Sequence, residues 1–311
     1  MLVFRGFSRP SPAPTVLTIG NFDGVHLGHR ALLEKLKANA SQTGWMPAVL
    51  TFEPHPREYF SPETAPTRLS SLREKLELIA NENIAFACVC PFNAALAQME
   101  AETFIERLLV EQLRVKHLIV GDDFRYGAHR RGDCTMLTEF GKRHGFSLEA
   151  VPGIEVDGCR VSSSAVRAAL AAGRIEEASR FLGRPYLIDG RVIRGRQLGR
   201  HLGVPTANIR IKHRRPPLTG VYAVEVSGLA DGPHRGVANV GYRPSVEASA
   251  AGAMRAVLEV HLFDFDRDIY GSHLSVRFLR KIRDERKFSG LDSLKAQISH
   301  DIESARQYFT H

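Results

Sequence analysis

Apolar residues lose their helical period near residue 183 of this 311-residue chain, and that change constrains the fold more than any composition figure. Upstream of it, short apolar runs alternate with stretches of helical spacing. Residues 16–19, 48–52, 86–90, 117–120 and 148–151 are predicted strands. Leu32, Leu33, Leu36 and Ala40 mark one helical face, Leu72, Leu76 and Ile79 a second, and Phe104, Leu108 and Leu109 a third; 136–144 is also predicted helical. Strands separated by helices imply a parallel sheet with helices on both faces. Ser162-Ser163-Ser164 opens a further helix closed by Gly173, and a short helix over 175–181 runs to Gly183-Arg184-Pro185.

Downstream, helical spacing disappears for about a hundred residues. Short strands are predicted at 187–193, 221–226, 236–240, 257–263 and 274–279, separated by Gly, Pro, Asp and Asn. That spacing reads as an antiparallel barrel or sandwich. Leu291, Leu294, Ile298, Ile302 and Ala305 then restore a 3.6-residue period, so a terminal helix should pack on the barrel. The expected division is therefore 1–183 and 184–311.

Composition narrows the class. The chain is 43% apolar and 24% charged, which excludes wholesale disorder. Lys and Arg exceed Asp and Glu by 42 to 34, giving +8, a balance that suits nucleotides, nucleic acid or plain solubility alike. Four cysteines without a C-x-x-C pair make neither a disulfide framework nor a metal motif, and Cys88 and Cys90 read as buried thiols in a strand. Met1 to Pro14 holds Arg5, Arg9 and three prolines without the apolar stretch of a signal peptide, and no apolar run is long enough to span a membrane. The expectation is a reduced, cytoplasmic protein with no membrane partner.

Two loops carry the chemistry. Gly20-Asn21-Phe22-Asp23-Gly24-Val25-His26-Leu27-Gly28-His29 joins a strand to a helix. Glycines allow a phosphate to approach, and the N–H groups of a helix start favour an anion. His26 and His29, three apart, can lie on one side of the first turn and donate to phosphate oxygens. Farther on, Ser163 and Ser164 begin a helix on which Arg167 can lean back toward an anion held by their amides and hydroxyls. In the second half, Gly195, Gly199 and Gly203 alternate with Arg194, Arg196 and Arg200, a basic flexible loop suited to polyphosphate. Thr206 and Asn208 follow Pro205 and face one side if the chain stays extended; they fit either an ordinary turn or a hard-cation pair. Glu259 and His261 alternate with Leu258, Val260 and Leu262, so Glu259 is either a solvated strand residue or a general base.

These residues resemble the prokaryotic bifunctional riboflavin kinase/FAD synthetase family over nearly the whole chain. The Gly20–His29 stretch resembles the H-x-G-H signature of nucleotidyltransferases. Thr51-Phe52-Glu53-Pro54-His55-Pro56, Gly121-Asp122-Asp123-Phe124-Arg125-Tyr126-Gly127 and Val161-Ser162-Ser163-Ser164-Ala165-Val166-Arg167 are similar to that family's adenylyltransferase half. Gly190 to Asn208, Gly220-Val221-Tyr222-Ala223, Asn239 to Val246 and Glu259 to Gly271 resemble its kinase half. Val204 stands where the family carries Phe, and Ser245 where it carries Thr.

The resemblance implies an α/β, Rossmann-like nucleotidyltransferase domain with a parallel sheet, followed by an antiparallel β-barrel with a C-terminal helix. It implies a kinase that moves the γ-phosphate of ATP to riboflavin, giving FMN, and an adenylyltransferase that joins FMN to a second ATP, giving FAD and pyrophosphate. Mg2+ would serve both steps. Carried over, Glu259 is the kinase base and Thr206 and Asn208 the magnesium ligands. His26, His29 and Arg167 serve adenylyl transfer. Gly20, Asn21, Phe22, Asp23, Gly24, Gly28, Ser163, Ser164, Gly195, Gly199 and Gly203 hold ATP and phosphate, and His55, Pro56, Asp123 and Phe124 touch flavin. Two other readings compete: a kinase whose first half only binds flavin, and a basic nucleic-acid binder. The first would need lost signature positions, and the second a nucleic-acid motif or a stacking platform; neither is present, so no nucleic-acid partner is expected.

Overall fold

The computed structural model describes residues 1–7, 10–195, 203–211, 215–244 and 254–310. The chain forms two compact units, Met1–Pro66 with Leu72–Ser162, and Thr67–Ser71 with Ser163–His311.

The first unit contains β1 (Leu2–Arg5), β2 (Thr15–Ile19), α1 (Leu27–Thr43), β3 (Met46–Glu53), α2 (Pro56–Phe60), α3 (Leu72–Asn81), β4 (Phe86–Pro91), α4 (Ala94–Ala97) and α5 (Ala101–Thr103). α5 continues into a π-helical stretch, Phe104–Gln112, in which Leu113 N–H donates to the Leu108 carbonyl. Then come β5 (Val115–Gly121), α6 (Cys134–His144), β6 (Ser147–Val151) and the small β7 (Glu155–Val156) and β8 (Cys159–Arg160). The main sheet has the order β1-β4-β3-β2-β5-β6, and every pairing is parallel.

Burial explains that arrangement. All five residues of β2 are buried. Leu17, Leu50, Phe86 and Leu118 belong to one apolar cluster, whereas Val16, Val49 and Ile119 join Leu33 and Leu36 in another. Alternation along each strand thus feeds two cores, one on each face, as a doubly covered sheet requires. The expected parallel α/β half is what forms. Strand β1 escapes the sequence pattern: three of its four residues are exposed, so it carries no periodic signal and is held by pairing to β4.

The second unit holds α7 (Ser163–Ala171), α8 (Ile175–Leu182), β9 (Leu187–Ile193), β10 (Ala207–Arg210), β11 (Gly220–Ser227), β12 (His234–Pro244), β13 (Met254–Leu262), β14 (His273–Arg283) and α9 (Leu291–Tyr308). Among the described residues the six strands close into an antiparallel barrel, β10-β13-β12-β11-β14-β9. Five of the six are the five predicted strands. The sixth, β10, is four residues long, follows Pro205 and contains Asn208. Helix α9 packs against the barrel through Ala305 and Ile302, which join Val221, Ala223, Val237 and Phe263. An Arg283–Asp301 ion pair at 2.7 Å, with both side chains largely shielded, ties the helix to β14.

Cys88 and Cys90 are free and buried in β4, and burial pushes each thiol up to about 12. At pH 8, on the order of one molecule in ten thousand then carries either thiolate. Iodoacetamide on the native chain should therefore label the exposed Cys159 and leave Cys88 and Cys90 intact, as read by peptide mass spectrometry. Rapid labelling of Cys88 would contradict this packing.

Candidate functional site

In the first unit the site begins where β2 stops. Gly20 N–H donates to the Leu50 carbonyl at 3.1 Å, extending the β2–β3 ladder by one residue. The Thr51 hydroxyl donates to the Asn21 carbonyl at 3.2 Å. The chain then turns sharply, with Val25 N–H bonding to the Phe22 carbonyl. Phe22, Gly24 and Val25 all take positive φ. For a β-branched residue that is a strained state, costing of order 1–3 kcal/mol, and it persists only where the surroundings enforce it. Here Phe22 and Val25 are both fully buried.

The turn delivers His26 to the N-cap of α1. Its Nδ1 accepts the His29 N–H at 3.3 Å. An accepting Nδ1 puts the ring proton on Nε2, which makes that nitrogen a donor. The two imidazoles stack with centroids 3.7 Å apart, and Phe22 lies 4.9 Å from His29. A Cβ on Gly28 would stand 3.2 Å from the His26 ring, so glycine leaves the space in which that ring stacks. Gly20, Asn21, Phe22, Asp23, Gly24, His26, Gly28 and His29 thus form one continuous turn at a helix start, with backbone N–H groups and imidazoles suited to polyphosphate.

The other expected first-half residues lie on other elements. His55 caps α2, accepting the Arg57 N–H at Nδ1, with Pro56 in the first turn. Phe124 stacks on Tyr126 after β5, and Asp123 pairs with Arg160 at 2.9 Å. Ser163, Ser164 and Arg167 lie on α7, in the second unit. Arg167 Nε donates to the Thr67 carbonyl at 2.5 Å. Sequence reasoning passed over an aromatic nest beside His55: Tyr59 and Phe60 are exposed and stand edge-on to Phe92, at 5.5 and 5.6 Å, with Phe52 at 6.0 Å from Phe92. An exposed aromatic group of this kind offers faces and edges to a flat ring. The Tyr59-Phe60 pair immediately after His55-Pro56 was the available signal.

In the second unit the register makes the site. Asn208 of β10 stands opposite Glu259 of β13, and Glu259 stands opposite Asn239 of β12. Cross-strand partners share a face, so two amides flank one carboxylate. Ile209, Leu258 and Val260 turn the other way and are buried. His261 Nδ1 lies 2.8 Å from the Pro205 carbonyl. A carbonyl only accepts, so this nitrogen donates and fixes the segment that presents Thr206 just before β10. A Cβ on Gly195 would overlap the Asn208 amide, so only glycine admits that side chain here. Gly203, at the other end of the loop, has a positive φ of 78°. Gly199, with Arg196 and Arg200, lies outside the described residues, as does Ser245.

The oxygens of Thr206 and Asn208 are hard donors, the kind magnesium takes while keeping water and nucleotide phosphate for its remaining positions. Among the described residues no group of three or more His, Cys, Asp or Glu could hold a metal ion.

Comparison with known proteins matches both halves. The FAD synthetase family matches residues 8–165 and the riboflavin kinase family residues 182–309. The bifunctional riboflavin kinase/FMN adenylyltransferase of Escherichia coli (strain K12) is 46% identical over 312 residues, covering 99% of this chain and 98% of its own. That of Pseudomonas fluorescens is 48% identical over 309 residues, covering 98% and 97%. A crystal structure described as a macrolide-efflux protein from Streptococcus pneumoniae superposes with a TM-score of 0.83 at 27% identity, over 98% of this chain and 99% of that one. Among the described residues no helix is long and apolar enough to cross a membrane.

The matches define a two-part enzyme, a nucleotidyltransferase followed by a phosphotransferase. The chain belongs to the bifunctional riboflavin kinase/FMN adenylyltransferase family.

Gly195→Ala tests the barrel cradle. The methyl group should displace the Asn208 amide and lower riboflavin phosphorylation by at least about tenfold, while FMN adenylylation stays within about twofold. Equal rates for the variant and the parent in riboflavin phosphorylation would show that Asn208 does not need this position.

Proposed function

We propose that the chain makes FMN from riboflavin and then FAD from FMN, each step using its own ATP, in two sites with separate residues. The observation that carries this reading is that each half holds its own polar constellation: the Gly20–His29 turn with its two stacked imidazoles, and the Asn208–Glu259–Asn239 rung with Gly195 against the Asn208 amide.

In the kinase step Glu259 takes the proton of the ribityl 5′-hydroxyl as its oxygen attacks the γ-phosphorus, and ADP leaves. Asn208 and Thr206 are the residues that would hold Mg2+, which when bound neutralises phosphate charge. His261, through Pro205, keeps Thr206 in place. In the adenylyl step the FMN phosphate oxygen attacks the α-phosphorus of ATP, and pyrophosphate leaves. A phosphate dianion needs no base, so the protein's task is alignment and stabilisation of the departing charge. The His26 Nε2 donor, His29 and the α1 N-terminus suit that task. Arg167, Ser163 and Ser164 are assigned to the triphosphate by the family signature, with Arg167 oriented by the Thr67 carbonyl. His55, Pro56, Asp123 and Phe124 are assigned to flavin on the same ground, and the neighbouring aromatic nest supports it.

We place the functional division at 1–183 and 184–311, which the spans of the two family matches support. We place the enzyme in the cytoplasm, a reading supported by its reduced, buried thiols and its ATP-consuming chemistry.

Separating flavins over time, after mixing the chain with riboflavin, ATP and Mg2+, tests the assignment. Glu259→Gln should abolish FMN formation and leave FMN-to-FAD conversion intact. His29→Ala should lower that conversion by about a hundredfold or more while FMN still accumulates. A folded variant in which either substitution stops both steps would contradict separate sites.

A further inference from the structure

Helix α3 buries the wrong residues for an ordinary amphipathic helix. Its apolar spacing predicts Leu72, Leu76 and Ile79 inward, yet Leu72 and Leu76 are only half-buried, and Glu74 and Lys75 are buried alongside Ile79. Lys75 is 3% exposed. Burying an ammonium is costly unless it is held by hydrogen bonds, so a lysine at such a depth marks a local rule broken for a reason.

The contacts of Lys75 supply the reason. Its Nζ donates to the Thr51 hydroxyl at 3.3 Å, and that hydroxyl donates to the Asn21 carbonyl at 3.2 Å. Thr51 is fully buried in β3. A hydroxyl has one proton and an ammonium can only donate. Lys75 therefore forces the Thr51 proton toward Asn21, and no other orientation satisfies both bonds. Asn21 opens the strained turn that carries Phe22, Val25 and His26. Its own side-chain Oδ1 is buried with no hydrogen-bond partner among the described residues, so the backbone contact is what anchors it.

We propose that Lys75 is a positioning residue for adenylyl transfer, acting through Thr51 to hold the Asn21 carbonyl and with it the turn that receives the triphosphate. This rests on the reading of the Gly20–His29 turn as the adenylyl-transfer cradle.

The test uses the full chain and measures FAD formation from FMN over a range of ATP and FMN concentrations. A circular-dichroism melt of each preparation reports on folding, and riboflavin phosphorylation reports that the second unit is intact. Lys75→Met and Thr51→Val should each lower kcat for FAD formation by at least about tenfold, with KM for FMN within about twofold and riboflavin phosphorylation unchanged. Thr51→Ser, which restores the hydroxyl, should recover the rate to within about threefold of the parent. A purely packing role would not separate kcat from KM in this way, nor respond to the hydroxyl alone. If Lys75→Met fails to fold, the Thr51→Val and Thr51→Ser pair decides. A Thr51→Val rate equal to the parent's, with His29→Ala inactive in FAD formation, overturns the proposal and leaves the cradle reading standing. His29→Ala with the parent's rate overturns the cradle reading and the proposal with it.

Discussion

Strand register aims the polar groups of both proposed sites. In the first unit the β2–β3 ladder runs one bond past the end of β2, from Gly20 N–H to the Leu50 carbonyl, and the next residue of β3 grips Asn21. In the second, three adjacent strands place Asn208, Glu259 and Asn239 side by side on one face. A slip of one residue in either pairing would turn every side chain of the slipped strand to the other face. Glu259 would then point where Leu258 and Val260 are buried, and Thr51 would lose Asn21. The apolar alternation that stabilises each sheet is therefore also what aims the polar groups.

The two loops differ as their proposed nucleophiles differ. A flavin phosphate arrives already charged, and the first unit meets it with N–H groups, imidazoles and a buried ammonium behind them, with no carboxylate in the turn except Asp23. A ribityl hydroxyl must lose a proton, and the second unit supplies a carboxylate held between two amides. Each step consumes an ATP, yet on the proposed reading one site stabilises negative charge and the other creates it.

Much of this was legible in the residues. The strands 16–19, 48–52, 86–90, 117–120 and 148–151 were readable because each is a short, mostly apolar run, and the change at about residue 183 separated sheet from barrel. The H-x-G-H turn and the P-T-A-N segment were readable because glycine and proline impose backbone constraints that few other residues can meet. What stayed hidden has physical causes. Strand β1 is an exposed edge whose residues face solvent, so no period marks it. Strand β10 has four residues, too few for alternation to stand out. The Asn208–Glu259–Asn239 rung joins residues far apart in the chain, which only pairing brings together. Lys75 gave no signal because a charged residue beside a leucine stripe looks solvated, and its burial depends on what lies beneath α3. The π-helical stretch after α5 keeps an ordinary helical spelling, and the i→i+5 bond of Leu113 shows only in three dimensions.

The central claim is that one polypeptide carries two independent triphosphate seats. Calorimetric titration of the full chain with a non-hydrolysable ATP analogue, under saturating Mg2+ and flavin, counts them. The account requires two sites per chain, with Gly195→Ala weakening one and leaving the other unchanged. A stoichiometry of one nucleotide per chain would contradict it.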